Sequence, residues 1–157
     1  MAAVVDVADA SDCAEVIDLL RMKHGEDGLG RFSEERAHES VVRGAVTKNM
    51  ARIGVIRGKT RIEATVGLFV DRPFDSIDQY LFDRWLFVHP DNRRSEHAKD
   101  LIIWSKKIAL CLGVPLVLTT IVNQTTANKA KLYERQMPEG GKIFVFNPIL
   151  ELQRQTA

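Results

Sequence analysis

One stretch of the sequence, residues 80–112, constrains the fold of this chain more than any other. Aromatic and β-branched residues over 80–88 predict a buried strand, and Pro90 with its Asp and Asn neighbours ends that strand. From Ser95 to Leu112, apolar residues recur at helical spacing. The sequence therefore predicts a strand that leads, through a tight basic turn, into the N-terminus of a helix.

The basic turn has the features of an anion site. The first N–H groups of a helix lack intrahelical acceptors and lie at the positive end of the helix dipole. Arg93, Arg94 and Lys99 add side-chain cations around these groups. The ligand that suits such a turn is a phosphate or a pyrophosphate.

Composition limits the classes of protein that this chain can belong to. Its 157 residues, 45% of them hydrophobic, predict one domain that buries its own core, which we assign to 1–147, with a C-terminal tail over 148–157. With 22 basic and 21 acidic residues, the net charge of +1 argues against a general nucleic-acid binder or a polybasic membrane binder. No transmembrane-length segment is found, and Cys13 and Cys111 have no metal or redox spacing, so we expect them to be buried and reduced in a cytoplasmic protein.

Hydrophobic periodicity predicts the order strand, two helices, three strands, helix, strand, helix, strand. The predicted strands cover 2–7, 51–56, 62–70, 80–88, 116–121 and 142–146. The predicted helices follow N-caps at Ser11 and Ser33, begin at Ser95, and cover 123–136. This order predicts an α/β (α+β) fold in which helices cover a single sheet.

This order and two motifs resemble the GNAT N-acetyltransferases over nearly the whole chain. Val-His-Pro at 88–90, followed by Arg-Arg-Ser-Glu-His-Ala at 93–98, is similar to the acetyl-CoA-binding turn of that family, with Glu96 where Gly is usual. Leu-Tyr-Glu-Arg at 132–135 is similar to the family's Leu-Tyr-Glu-Lys run, although the usual Gly-Phe does not follow it. The resemblance implies a GNAT-like acyl-CoA N-acyltransferase fold, with a central mixed, mostly antiparallel sheet flanked by helices.

The resemblance also implies an activity, namely transfer of an acetyl group from acetyl-CoA to an amine of a small molecule or a protein, by direct attack in a ternary complex. Pantetheine would lie between the strand before the turn and the strand after the central helix, where a main-chain N–H would polarise the thioester carbonyl. The implied cofactor-binding residues are Leu86, Phe87, Val88, Arg93, Arg94, Ser95, His97, Ala98, Lys99, Asn123 and Asn128. Acetyl-CoA is the expected cosubstrate, and the histidines show no spacing that indicates a metal site.

Two residues are candidates for the proton transfers that this reaction needs. Tyr133 matches the family's general acid, and a phenol with a pKa of about 10 can protonate a departing thiolate. The alternative for Tyr133 is a helix-packing aromatic residue. Asp83 stands where some family members carry an acid, and burial could raise its pKa to a value useful for a general base. An ion pair with Arg84 is the structural alternative for Asp83.

Other functions and partners remain open at this stage. Glu96 and the altered segment after Tyr133 motivate one alternative, a catalytically inactive CoA-binding protein of the same fold. The loops 25–32 and 71–79 should rim the acceptor site, and their acidic residues suit either a cationic acceptor or a solvated surface. We expect neither nucleic acid nor membrane as a partner. The apolar residues of the tail suit either a homodimer contact or packing on the chain's own sheet.

Overall fold

The computed structural model describes residues 2–28, 30–120 and 126–140. Its elements, in chain order, are β1 (Asp6–Val7), α1 (Cys13–Asp27), α2 (Glu34–Val42), β2 (Ala51–Arg57), β3 (Ile62–Asp71), β4 (Tyr80–Val88), α3 (His97–Leu112), β5 (Leu116–Val117) and α4 (Ala127–Gln136). A 3-10 turn, Ala10–Asp12, precedes α1, and a π-helical turn, Arg43–Thr47, follows α2. The predicted strand 142–146, the tail 148–157 and Asn123 lie outside the described residues.

The five strands form one sheet in the order β1-β2-β3-β4-β5. Each of the first three neighbouring pairs is antiparallel, whereas β4 and β5 are parallel. The predicted sheet, mixed and mostly antiparallel, is therefore confirmed. The parallel pair is short: Leu81 pairs with Leu116 and Phe82 with Val117. In the described part of the chain the pairing ends there, while β4 continues to Val88.

Helices cover both faces of the sheet, and each face has its own core. The core under α1 and α2 includes Val16, Leu20, Val41, Ile53, Phe69, Trp85 and Phe87. The core under α3 and α4 includes Val66, Leu68, Leu81, Leu86, Leu101, Ile102 and Tyr133. Burial of each large apolar side chain stabilises the fold by about 1.5–3 kcal/mol, which is why both helical layers stay on the sheet.

A β-bulge interrupts the pairing of β3 with β4 and changes the faces that β4 presents. Gly67 pairs with Trp85 and Leu68 with Asp83, so that Arg84 is an extra residue in β4. The indole of Trp85 packs directly on Gly67, where a Cβ would lie 2.4 Å from a ring atom, and its Nε1 donates a 3.3 Å hydrogen bond to the Thr65 hydroxyl. As a result, Arg84 and Trp85 both face the α1/α2 layer.

The helix ends agree with the sequence in part. Ser33 caps α2 as predicted, because its hydroxyl accepts the main-chain N–H of Arg36 at 3.3 Å. The predicted N-cap at Ser11 is wrong. Asp9 forms a capping box with Asp12, in which the Asp9 carboxylate accepts the N–H of Ser11 at 2.8 Å and the Asp12 carboxylate accepts the N–H of Asp9 at 2.9 Å.

Further corrections concern α3 and its surroundings. This helix begins at His97, because a short 3-10 turn over Pro90–Asn92 and the residues after it occupy the predicted start. It ends at Leu112, and Gly113 caps it as predicted, with a φ of 67° in the left-handed conformation that glycine adopts readily. Cys111 is exposed, contrary to its predicted burial. None of the helices over 2–28, 30–120 and 126–140 is long and apolar enough to cross a membrane.

Candidate functional site

The main candidate site is the region beyond the last β4–β5 pair of the described residues, which we call the opening. Asp83, one residue beyond the last pair of β4, is buried at the start of the opening. Its Oδ1 accepts hydrogen bonds from the main-chain N–H of Thr119, at 2.7 Å, and from the Thr119 hydroxyl, at 3.2 Å. The carboxylate thus connects β4 to the segment that directly follows β5. Burial raises the pKa of Asp83, and the hydrogen bonds from Thr119 oppose that rise.

The structural alternative for Asp83, an ion pair with Arg84, is not formed. The β-bulge turns Arg84 away to the α1/α2 layer, where its Nη1 donates a 3.3 Å hydrogen bond to the Ser40 hydroxyl. Its guanidinium lies over the ring of Phe69, 4.3 Å from the centroid. Asp83 is therefore left without a neighbouring arginine to neutralise it.

Lys129 projects from α4 into this opening. Its Nζ donates a 2.7 Å hydrogen bond to the main-chain carbonyl oxygen of Leu86 and lies 5.6 Å from the ring centroid of Tyr133. Burial lowers the pKa of Lys129 to about 8, even though the negative charge of Asp83 favours the ammonium. The sequence interpretation missed this residue. Its spacing of four from Tyr133, which places both on one face of α4, is the signal that could have found it.

Tyr133, the predicted general acid, is buried on the same face of α4. Its hydroxyl has no hydrogen-bond partner among the described residues. Burial, followed by the negative charge of Asp83, raises the pKa of Tyr133 well above its ordinary value. The phenol is therefore protonated at neutral pH, and no group of the described residues accepts its hydrogen.

The predicted cofactor-binding residues of β4 line the other side of the opening. Leu86 and Phe87 are buried and Val88 is half-buried. The side chain of Phe87 belongs to the core under α1 and α2, and that of Leu86 to the opposite core. These residues can therefore meet a ligand at the strand edge through main-chain groups rather than through their side chains.

The basic turn lies between β4 and α3, at the end of the same strand. Arg93 forms an ion pair with Glu26 of α1, and its guanidinium lies 5.8 Å from the ring centroid of Phe87. Lys99 forms an exposed ion pair of 3.1 Å with Glu96. Arg94 is exposed and has no carboxylate partner in the described ranges. Of the three predicted cations of the turn, Arg94 is therefore the one that forms no ion pair within the described residues.

Two polar side chains of the turn shape the start of α3. The Ser95 hydroxyl donates to the carbonyl oxygen of Asn92 at 2.6 Å and accepts the main-chain N–H of His97 at 3.3 Å. The His97 ring Nε2 lies 2.7 Å from a carboxylate oxygen of Glu63 on β3. The side chain of His97 therefore anchors the helix to the sheet. A half-buried Ala98 follows, so that an anion here would meet main-chain N–H groups.

The remaining predicted cofactor-binding residues are Asn123 and Asn128. Asn128 is exposed at the start of α4, next to Lys129. Asn123 lies outside the described residues. As for metals, the described ranges contain no group of three or more His, Cys, Asp or Glu side chains that could hold an ion.

The fold is shared with solved acetyltransferase structures. A predicted acetyltransferase from Clostridium acetobutylicum, solved with acetyl-CoA, superposes with a TM-score of 0.75 over 94% of this chain and 97% of its own, at 10% identity. A ribosomal-protein-alanine N-acetyltransferase from Brucella melitensis biovar Abortus gives a TM-score of 0.66 over 92% and 99%, at 18% identity. An aminoglycoside acetyltransferase from an uncultured soil metagenomic sample, in complex with trehalose, gives 0.69 over 93% and 95%, at 14% identity.

No protein-family model and no curated protein sequence matches the chain, so three-dimensional structure alone carries this similarity. The chain has the GNAT acetyltransferase fold, as the resemblance implied.

Proposed function

We propose that this protein is an acetyl-CoA-dependent N-acetyltransferase that moves an acetyl group to the amine of a small molecule or a protein. The observation that carries the proposal is the buried hydroxyl of Tyr133, which has no hydrogen-bond partner among the described residues and lies on the face of α4 that also carries Lys129. A buried hydroxyl without a partner costs stability unless a ligand uses it. The acetyltransferases that share the fold, one of them solved with acetyl-CoA, support the same class of reaction.

In this proposal, the two ends of acetyl-CoA are held by different parts of the chain. The diphosphate binds the first N–H groups of α3 and the guanidinium of Arg94. Pantetheine lies along β4 beyond its described pairs with β5, near the main-chain groups of Leu86 and Val88. A main-chain N–H of this edge polarises the thioester carbonyl and stabilises the oxyanion that forms during attack.

The chemical step joins the acceptor nitrogen to the acetyl carbon and breaks the bond from that carbon to sulfur. The acceptor loses one proton and the CoA thiolate gains one, so that an amide and a free thiol are the products. Tyr133, which is protonated at neutral pH, supplies the proton to the thiolate as the carbon–sulfur bond breaks. Lys129, as an ammonium at neutral pH, adds positive charge near the same thiolate.

Asp83 is the candidate general base in this scheme. Its buried position and raised pKa suit proton transfer near neutrality better than an exposed carboxylate would. Both hydrogen bonds from Thr119 reach Oδ1, and neither of them uses Oδ2. We propose that Oδ2 accepts the acceptor's proton, directly or through one water molecule.

A second candidate function is a CoA-binding protein of this fold without turnover. One observation favours it: Lys129 already binds the Leu86 carbonyl oxygen, which is part of the strand edge proposed for pantetheine. Two assays separate the candidates. Calorimetric titration measures whether acetyl-CoA binds, and release of free thiol with a panel of amines measures turnover. Binding with amine-dependent thiol release is the expected result, whereas binding without release by any amine would favour the second candidate.

A further inference from the structure

A second pocket lies on the other face of β4, between that strand and helices α1 and α2. Its volume is about 290 Å³. The polar and aromatic side chains that matter for its chemistry are Lys23, Asp27, Arg31, Arg36, Arg84 and Trp85. Arg84 reaches this pocket only because the β-bulge makes it an extra residue of the strand. The β-bulge thus places the guanidinium of Arg84 in the wall of this pocket.

The charges in and around this pocket do not cancel. Asp27, its acidic wall residue, forms an ion pair with Lys23 of the same helix. Neighbouring Glu26 forms an ion pair with Arg93 of the basic turn. By contrast, three arginines of the wall have no carboxylate within ion-pair distance anywhere in the described part of the chain: Arg31, Arg36 and Arg84.

This arrangement reverses one interpretation of the sequence. The acids of loop 25–32 suited a cationic acceptor when they were considered alone. In the structure, Glu26 and Asp27 are each bound to a basic side chain, and the charge left in the pocket is positive. A pocket with unmatched guanidinium groups attracts an anionic ligand and repels a cationic one.

The pocket adjoins the proposed reaction site. Arg84 and Trp85 directly precede Leu86, whose carbonyl oxygen holds Lys129 in the opening. Lys23 and Asp27 of the pocket wall are also close enough to Lys129 for their charges to act on it. An acceptor held in the pocket is therefore separated from the opening only by strand β4.

We propose that this pocket binds the acceptor, and that it selects an amine which also carries a carboxylate or a phosphate. This inference rests on the proposed acetyltransferase function. A planar guanidinium forms two parallel hydrogen bonds to a carboxylate or phosphate, and three such groups around one cavity can hold the anion while the amine stays free. The rings of Phe32 and Trp85 supply the apolar part of the wall for the carbon skeleton.

Matched pairs of amines test the selection. β-Alanine is compared with propylamine for the carboxylate, and O-phosphoethanolamine with ethanolamine for the phosphate. Each probe is titrated into the CoA-saturated protein by calorimetry, and its kcat/KM is measured by thiol release. In at least one pair, we expect the anionic member to be preferred by about tenfold or more, as its charge-assisted contacts to arginine predict. The pair that shows the preference distinguishes carboxylate from phosphate recognition.

Three variants locate the source of this preference. Arg84→Gln and Arg36→Gln should each reduce the preference at least severalfold, while Arg135→Gln, an exposed site on α4, should leave it unchanged. Arg36 is exposed on α2, so its substitution keeps the test informative if the Arg84 variant folds poorly. The inference would be overturned if both members of each pair gave equal affinity and equal kcat/KM, or if the uncharged members were preferred. It would also be overturned if the preference for the anionic member survived in both pocket variants. Failure of acetyl-CoA itself to bind would instead contradict the proposed function, and the anion preference of the pocket would still be measurable.

Discussion

The ammonium of Lys129 donates a 2.7 Å hydrogen bond to the main-chain carbonyl oxygen of Leu86. The part of β4 beyond its pairs with β5 in the described chain is thus met by a cation from α4, and this cation lies on the path proposed for pantetheine. Lys129 is half-buried, and this burial is unfavourable to its ammonium and lowers its pKa to about 8. The proposed binding of the cofactor therefore requires Lys129 to leave the Leu86 carbonyl oxygen.

The first prediction concerns the pH dependence of stability. The pKa of Lys129 is about 8 in the folded protein and has an ordinary value of 10.5. Between these values the unfolded chain binds more protons, so this lysine makes the free energy of unfolding rise with pH in that window. Lys129→Met should remove this rise. At pH 7 it should increase the free energy of unfolding by about 1–2 kcal/mol, because the relief of a buried charge exceeds the lost hydrogen bond.

Urea unfolding at several pH values between 7 and 10 checks this prediction. Lys107→Met is the control, since Lys107 is exposed on α3 and its substitution should leave the pH profile of the wild type intact. If the Lys129→Met profile runs parallel to that of the wild type, the buried position of the ammonium is wrong.

The second prediction concerns the anion site at the start of α3. Arg94→Glu places a negative charge against the proposed diphosphate position, and should weaken CoA binding several-fold to a hundredfold, about 1–3 kcal/mol. Lys107→Glu makes the same change of charge about 15 Å further along the helix, so it should have little effect on affinity. Calorimetric titration with CoA measures both. If the folded Arg94→Glu variant bound CoA as tightly as the wild type, the diphosphate would not bind at this turn.

The third prediction concerns the β-bulge that separates the two sites. In Gly67→Ala, the new Cβ would lie 2.4 Å from the indole of Trp85, which must then move, and the variant should lose about 1–3 kcal/mol of stability. Gly25→Ala in α1 meets no atom within 4 Å and should gain about 0.5–1 kcal/mol from helix propensity. Opposite signs in thermal unfolding are the expected outcome. A neutral Gly67→Ala substitution would show that the ring does not pack on this glycine.

Local signals in the sequence explain how much of the fold could be predicted. Strand β4 has the predicted bounds, because its aromatic and β-branched residues favour extended backbone and Pro90 cannot continue a ladder. The bulge at Arg84 was not predictable in this way, since it depends on the register against β3. A continuous strand would have put Asp83 and Trp85 on one face, whereas the extra residue puts them on opposite faces.

The candidate site shows the same division between local and distant interactions. The basic turn and Tyr133 follow from short motifs, so their elements could be predicted from neighbouring residues. The spacing of Lys129 from Tyr133 is also a local signal, but its hydrogen bond to Leu86 was not predictable, because the two residues lie 43 positions apart in the sequence. The pairing of Arg93 with Glu26, which spans 67 positions, likewise changes which cation of the turn is left for a ligand.

The fourth prediction separates an enzyme from a CoA-binding protein. Tyr133→Phe keeps the ring and removes only the hydroxyl, so kcat should fall about 10²–10⁴-fold while the acetyl-CoA dissociation constant stays nearly unchanged. Because this hydroxyl has no partner in the described chain, its removal should cost no stability, and thermal unfolding gives the control. A Phe variant with wild-type kcat would exclude Tyr133 as the acid.

The central claim is that pantetheine occupies the opening between β4 and β5, and a crystal structure of the CoA complex tests it most directly. We predict that pantetheine lies along the edge of β4 beyond Phe82, with Lys129 displaced from the Leu86 carbonyl oxygen. We also predict that the diphosphate lies at the first turn of α3 beside Arg94. A structure in which CoA lies elsewhere, or in which Lys129 keeps its bond to Leu86 with no cofactor between the two strands, would contradict the claim.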